Sequence, residues 1–157
     1  TEARNQSTFS SSVGGLVGQP FNEVYCASKF AVEGYTESLA CYMTPSFGIH
    51  FTSVEPGGIR SEFVNAVMAH VESTGGMVED EYLPIISKYL GGARARGDTA
   101  YQSCDEVAEV VIDCLEAEIP PVRTRTSAWS NKFCELKTAA DPDGWKLQKQ
   151  IVETFLA

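Results

Sequence analysis

Tyr25 and Lys29 stand four residues apart, and Ser12 precedes the tyrosine by thirteen. Spacing of four on a helix puts the phenol and the ammonium on one face. A cation beside a phenol stabilises the phenolate, and a tyrosine in that setting can exchange protons near neutral pH. The pair alone also fits a surface lysine stacked on a helical tyrosine. Context separates the two readings. Ser12 lies at the end of a short extended run, and a loop with Gly14, Gly15 and Gly18 leads on to Pro20 and a helix start. Thirteen residues are enough to return that helix start beside the strand end. Two hydroxyls and an ammonium then converge at the C-terminal edge of a sheet, where open α/β sheets bind ligands. Pro56-Gly57-Gly58-Ile59 follows the next strand at the same edge.

The elements that must hold these residues are readable in outline. Residues 7–12 form a short, polar strand. Asn22 is placed to cap a long helix over Glu23–Met43, which Pro45 and Gly48 stop. Ile49 to Val54 is β-rich and bounded by turn residues. Helical patterns over 61–73 and 79–90 flank Ser73-Thr74-Gly75-Gly76, and Gly91 to Asp98 reads as a mobile connection. Ser103 and Glu106 make a capping box, and Val107, Val110, Val111, Cys114 and Leu115 follow at helical spacing. Val122 to Thr126 is a short strand, Trp129 to Lys137 a helix, and Lys146 to Phe155 a weakly helical tail. Strands alternating with helices imply an α/β fold with a parallel sheet of the doubly wound kind. Two or three strands are few for such a sheet, so the stretch reads as part of something larger.

Composition narrows the function. The chain has 157 residues, 43% hydrophobic and 21% charged, which is ordinary for one globular domain. Its net charge of −9 with no basic run argues against nucleic acid and anionic membrane as partners. No apolar stretch approaches the roughly 18 residues of a membrane span, and residues 1–6 carry no signal-peptide pattern. The five cysteines, at 26, 41, 104, 114 and 134, are widely spaced and contain no Cys-x-x-Cys. Reduced thiols in a cytoplasmic protein are therefore expected, with no metal site. Met68, Met77, Val78, Tyr82, Leu83, Ile85 and Ile86 make the segment around 60–100 apolar, as ordinary core or as the lid of a hydrophobic pocket. His50 reads as a packing or surface residue, and His70 falls in the lid. Trp129 and Trp145 read as core or interface aromatics.

In order and spacing, Ser12, Tyr25–Lys29 and Pro56-Gly57 resemble the signature of the short-chain dehydrogenases/reductases. The runs Ser12-Val13-Gly14-Gly15-Leu16 and Pro20 to Ala31 are similar to the branch of steroid 17-beta and photoreceptor-type retinol dehydrogenases. The resemblance continues through Pro121 to Ser127 and towards Asp141-Pro142-Asp143-Gly144. It implies the C-terminal part of a Rossmann-type sheet with a helical substrate-lid insertion at about 60–100. It also implies an NAD(P)-dependent oxidoreductase that interconverts an apolar secondary alcohol, steroid or retinoid like, and its ketone or aldehyde. Tyr25 would be the general acid/base, and Lys29 would support it and hold the nicotinamide ribose. Ser12 would bind the substrate oxygen, with Gly15 beside it in the substrate site. Pro56, Gly57, Gly58 and Ile59 would wall the nicotinamide, and Ser61 stands where the family usually has threonine. A homodimer is implied as well.

The resemblance also marks departures. No Gly-x-x-x-Gly-x-Gly turn precedes Ser12 to cradle a pyrophosphate, and the ribose-reading residue that would separate NAD from NADP is missing from this stretch. The helper asparagine of the preceding helix is missing too. Residues 1–9 do not resemble the Ile/Val-rich strand that leads to the family's serine. A rival reading follows: a non-catalytic piece that keeps the dimerisation helix and only binds partners. Within the family, a sugar or acyl-carrier ketone is a further substrate alternative.

Overall fold

The computed structural model describes residues 5–156. In chain order the elements are β1 (Gln6–Ser10), a 3-10 turn (Val13–Gly15), α1 (Glu23–Phe47), β2 (His50–Glu55), β3 (Gly58–Ile59), α2 (Phe63–Ser73), α3 (Leu83–Ala100), β4 (Tyr101–Gln102), α4 (Cys104–Glu116), β5 (Arg123–Arg125), α5 (Ala128–Thr138) and α6 (Trp145–Phe155). Strands β1, β2 and β5 form a parallel sheet in the order β1-β2-β5, and β3 pairs with β4 in a separate parallel ladder. Each parallel pair is joined by helical crossovers, as parallel pairing requires. This is part of a Rossmann-type sheet.

The pairing continues past the strand ends. Ser10 lies opposite Val54 and Glu55 opposite Arg125. The Ser11 N–H then donates to the Val54 carbonyl at 2.8 Å, and the Val13 N–H to the Pro56 carbonyl at 3.0 Å. These bonds carry Ser12 and Pro56 to the same edge. Behind them, Ala40, Phe51 and Val122 form a buried cluster to which Phe9, Leu39, Met43, Ile49 and Trp145 add. It packs α1 and α6 against the sheet, with Phe9 and Phe51 stacked at 6.2 Å. A second cluster of Val13, Leu16 and Cys134, flanked by Val17 and Trp129, seats the 3-10 turn on α5.

Several boundaries differ from the expectations, each for a physical reason. Pro45 does not stop α1; it sits inside the last turn, and the helix ends at Gly48, whose φ of 64° lets it close the end onto Met43 and Thr44. Asn22 occupies the N-cap position without a side-chain cap bond. Its amide is spent instead on the Pro20 carbonyl at 3.0 Å and the Tyr89 hydroxyl at 2.8 Å. The expected connection at 91–98 is absorbed into α3. Ala93, Arg94, Ala95 and Arg96 are good helix formers, and interior glycines cost only about 1 kcal/mol each. The β3–β4 ladder was not expected, because two residues per strand leave no periodicity to read.

The capping box at the start of α4 is present, with the Glu106 N–H 3.1 Å from Ser103 Oγ and the Ser103 N–H 2.6 Å from Glu106 Oε2. Ser103→Ala is expected to lower stability by about 1 kcal/mol. Urea unfolding of the two proteins checks this.

Candidate active site

Ser12, Tyr25, Lys29, Pro56, Gly57, Gly58, Ile59 and Ser61 line one cleft of about 430 Å³. That volume lies within the range of small-molecule sites, about 300–1,000 Å³. The cleft opens at the C-terminal edge of the sheet. Each group arrives by a different route. Ser12 leaves β1 in extended backbone and accepts the Gly14 N–H at its hydroxyl, 3.1 Å away, which starts the 3-10 turn. The same hydroxyl donates to the Pro56 carbonyl at 3.4 Å, a long bond that a substrate oxygen could displace. Tyr25 stands in the first turn of α1 and is 37% exposed, with its ring edge against Gly14. Lys29, one turn on, has its ammonium 5.8 Å from the Tyr25 ring centre, within cation–π range. It also donates to the Ser10 carbonyl at 3.0 Å. The ammonium is thereby fixed between the end of β1 and the phenol, with donors left over for a ligand.

The two glycines after Pro56 are there because nothing larger fits. A Cβ on Gly57 would lie 2.8 Å from Ser130 Oγ, and one on Gly58 would lie 2.9 Å from the Tyr101 ring. The backbone can therefore pass closely between α5 and β4, and Ile59 closes β3 with Ser61 just beyond. The Ser61 hydroxyl accepts the Phe63 N–H at 3.4 Å.

One expected site residue lies elsewhere. Gly15 does not line the cleft. It is the contact point of the 3-10 turn with α1, where an added Cβ would fall 2.7 Å from Ser11 Oγ and 3.0 Å from the Lys29 carbonyl oxygen. Nor do the lid residues named above line the cleft; Val78, Tyr82 and Ile85 are exposed. The apolar walls are instead Phe63, Val64, Tyr89, Tyr101 and Trp129. Phe63 lies 6.4 Å from the Tyr25 ring, and Trp129 stacks on Phe133 at 4.9 Å. Phe63 and Val64 were open to discovery from the sequence, since they follow Ser61 at the start of a helix. Tyr89, Tyr101 and Trp129 come from distant segments and carried no local signal. His50 lies against Trp145, away from the cleft.

The residues present fit the nicotinamide end of a dinucleotide. A partly exposed phenol, a tethered ammonium with spare donors and a glycine backbone without side chains share one cleft. Among the described residues no cluster of three metal-ligating side chains occurs, and no helix is long and apolar enough to cross a membrane.

Fold and cleft together define an α/β protein with a cleft at the strand ends of a parallel sheet. The short chain dehydrogenase family model matches residues 8–72, the segment that carries Ser12, Tyr25, Lys29 and Pro56 to Ser61. The chain is 40% identical over 116 residues to human 17-beta-hydroxysteroid dehydrogenase type 1, covering 74% of this chain and 35% of that protein. It is 38% identical over 136 residues to retinol dehydrogenase 8 of Bos taurus, covering 85% of this chain and 43% of the relative. A short-chain dehydrogenase structure from Streptomyces avermitilis superposes with a TM-score of 0.62 at 21% identity, over 95% of this chain and 52% of that one. The actinorhodin polyketide ketoreductase F189W with NADPH gives 0.55 at 22%, over 80% and 46%. The chain belongs to the short-chain dehydrogenase family, on the side of its steroid and retinol dehydrogenases, and spans less than half the length of the curated relatives named here.

Gly15→Ala is expected to cost about 1–3 kcal/mol, because the methyl group wedges the turn away from α1. Gly18→Ala, with nothing within 4 Å of the added atom, should change stability far less. Thermal unfolding of both variants checks the contrast.

Proposed function

We propose that this chain supplies the reactive half of an NAD(P)-dependent oxidoreductase that interconverts an apolar secondary alcohol and its ketone or aldehyde. The observation that carries this reading is the meeting of Ser12, Tyr25 and Lys29 in one cleft with an apolar far wall. In the reduction direction, Tyr25 gives its phenolic proton to the substrate carbonyl oxygen; in oxidation it takes the hydroxyl proton back. Ser12 turns its hydroxyl from the Pro56 carbonyl to that oxygen and stabilises the negative charge that develops there. Lys29 favours the phenolate left behind and holds the nicotinamide ribose hydroxyls. Pro56 to Ile59 and Ser61 wall the nicotinamide ring. When bound, the nicotinamide cofactor accepts or supplies the hydride. Phe63, Val64, Tyr89 and Trp129 suit a flat hydrophobic substrate of steroid or retinoid type, in keeping with the relatives' names. Val24, Phe30, Tyr35 and Tyr42 are exposed along α1, which supports pairing of two copies through that helix.

No Gly-x-x-x-Gly-x-Gly turn lies within these residues. Lys29 and the loop at Pro56 grip only the nicotinamide end. The 157-residue chain alone is therefore expected to bind NAD(H) and NADP(H) weakly, because a glycine turn and helix N-terminus are the usual pyrophosphate anchor. Calorimetric titration measures it, and tight binding would contradict the reading.

Fused to a Rossmann half that supplies this anchor, Tyr25→Phe should lower turnover by about 10²–10⁴-fold while cofactor affinity stays nearly unchanged. Lys29→Ala should reduce both, and Ser12→Ala turnover alone. Steady-state rates and cofactor titrations of the three variants separate these signatures from folding damage, which would depress both quantities in all three. Wild-type turnover in Tyr25→Phe would overturn the proton-transfer role of the phenol.

A further inference from the structure

Beneath the floor of the cleft lies a cluster that the proposed chemistry does not use. Glu55 is the last residue of β2 and is wholly buried. Glu33 is one turn beyond Lys29 on α1 and is also buried. Each carboxyl has one oxygen supplied with a donor. The Ser53 hydroxyl donates to Glu33 Oε1 at 2.7 Å, and Arg125 Nη1 donates to Glu55 Oε2 at 3.2 Å. The other two oxygens, Glu33 Oε2 and Glu55 Oε1, are buried without a donor. Ser11 Oγ is likewise buried and unpartnered, and a Cβ on Gly15 would lie 2.7 Å from it.

Two ionised carboxylates offer only acceptors and cannot bond to each other. One proton between them changes this. It turns two orphaned oxygens into a donor and an acceptor, and it lowers the buried charge from two negatives against one arginine to one against one. Burial of unpaired charge is among the most expensive things a fold can do, and like-charged carboxyls that share a site relieve it by retaining a proton.

We propose that Glu33 and Glu55 share one proton and through it clamp α1 to the end of β2, acting as positioning residues for the cleft above. The clamp joins the helix that carries Tyr25 and Lys29 to the strand that delivers Pro56. The titratable and charged groups around the pair are few. Arg125 faces Glu55 from β5 and also binds Asn131 and the Pro142 carbonyl. Cys134 faces both acids from α5, and burial together with Glu55 pushes its thiol up to about 11, so it stays neutral. Glu37, the next turn of α1 after Glu33, is paired with Arg123 at 3.2 Å. Burial, and after it Glu33, pushes Glu55 up to about 8.

The sign of the pH dependence follows. The folded state holds a proton that the unfolded chain releases near the ordinary carboxylate value. The stability that this proton confers is complete below that value, declines as pH rises, and is gone above about 8. Between the two limits the folded-to-unfolded ratio should fall by up to tenfold per pH unit for one linked proton.

The test needs no turnover and stands apart from the oxidoreductase reading. Infrared spectra of the wild-type chain across about pH 6 to pH 9 should show a protonated carboxylic acid band at neutral pH that fades with a midpoint near 8. Amide resonances of Ser12, Tyr25 and Lys29 should move with the same midpoint. Glu33→Gln supplies a permanent donor to Glu55 and keeps the Arg125 pair. It should lose the band and the amide shifts, and its urea stability should be flat where the wild type declines. Absence of the band in the wild type at neutral pH overturns the shared proton, even if the variant fails to fold. A band that titrates while the three amides stay still overturns the positioning role.

Discussion

The Pro56 carbonyl holds the arrangement together. It accepts the Val13 N–H at 3.0 Å and the Ser12 hydroxyl at 3.4 Å. One oxygen therefore ties the end of β1 to the end of β2, although 44 residues separate Ser12 from Pro56. Ser12 must stand at the sheet edge for this bond to form. From there the 3-10 turn runs through Gly15, which packs closely onto α1. That contact brings the Lys29 carbonyl and Glu33 close to the turn, and with them the first turn of the helix, where Tyr25 sits. The geometry of the cleft is thus a by-product of parallel pairing and one close backbone approach.

Buried polar groups complete the support. A short three-stranded sheet offers little apolar area, and its central strand is largely polar: Thr52, Ser53 and Glu55 are all buried. Each is bonded across elements. Thr52 reaches the Pro121 carbonyl at 2.7 Å, Ser53 reaches Glu33, and Glu55 reaches Arg125. Such bonds contribute about 1 kcal/mol each when satisfied and cost more than that when broken. They fix register more sharply than interchangeable aliphatic contacts would. Arg125 extends the network to α5 and to the turn before α6 through Asn131 and the Pro142 carbonyl. The wall of the cleft that holds Trp129 is anchored in the same way as its floor.

Much of this was legible in the sequence, and the parts that were not share a cause. Ser12, Tyr25, Lys29 and the Pro56 segment could be found because their spacing fixes where short connections must return them. The α4 capping box was readable because its bonds are local. Gly15 packs against α1 outside the cleft lining, and a glycine beside a cleft looks the same in sequence whether it faces the cleft or a helix; the neighbours at Ser11 and Lys29 tell the two apart. Tyr89 and Trp129 reach the cleft from α3 and α5, and no local pattern announces a meeting across more than 60 residues. Met68, Met77, Val78, Tyr82, Leu83, Ile85 and Ile86 fitted either ordinary core or a lid, yet Val78, Tyr82 and Ile85 are exposed and none of the seven lines the cleft. The buried acids gave no signal at all, since Glu33 and Glu55 read as ordinary charged positions until the fold turns them inward.

The central claim is that the cleft at Tyr25 receives the nicotinamide end of a dinucleotide. Nicotinamide mononucleotide tests it most directly, because that half-cofactor needs no pyrophosphate cradle. Nuclear Overhauser contacts measured on the chain with saturating mononucleotide should run from the nicotinamide ring protons to Tyr25 and Ile59, and from the ribose to Lys29. Contacts confined to the α1–α6 groove at Tyr42, Leu147 and Ile151 would contradict the claim, as would none at saturating concentration.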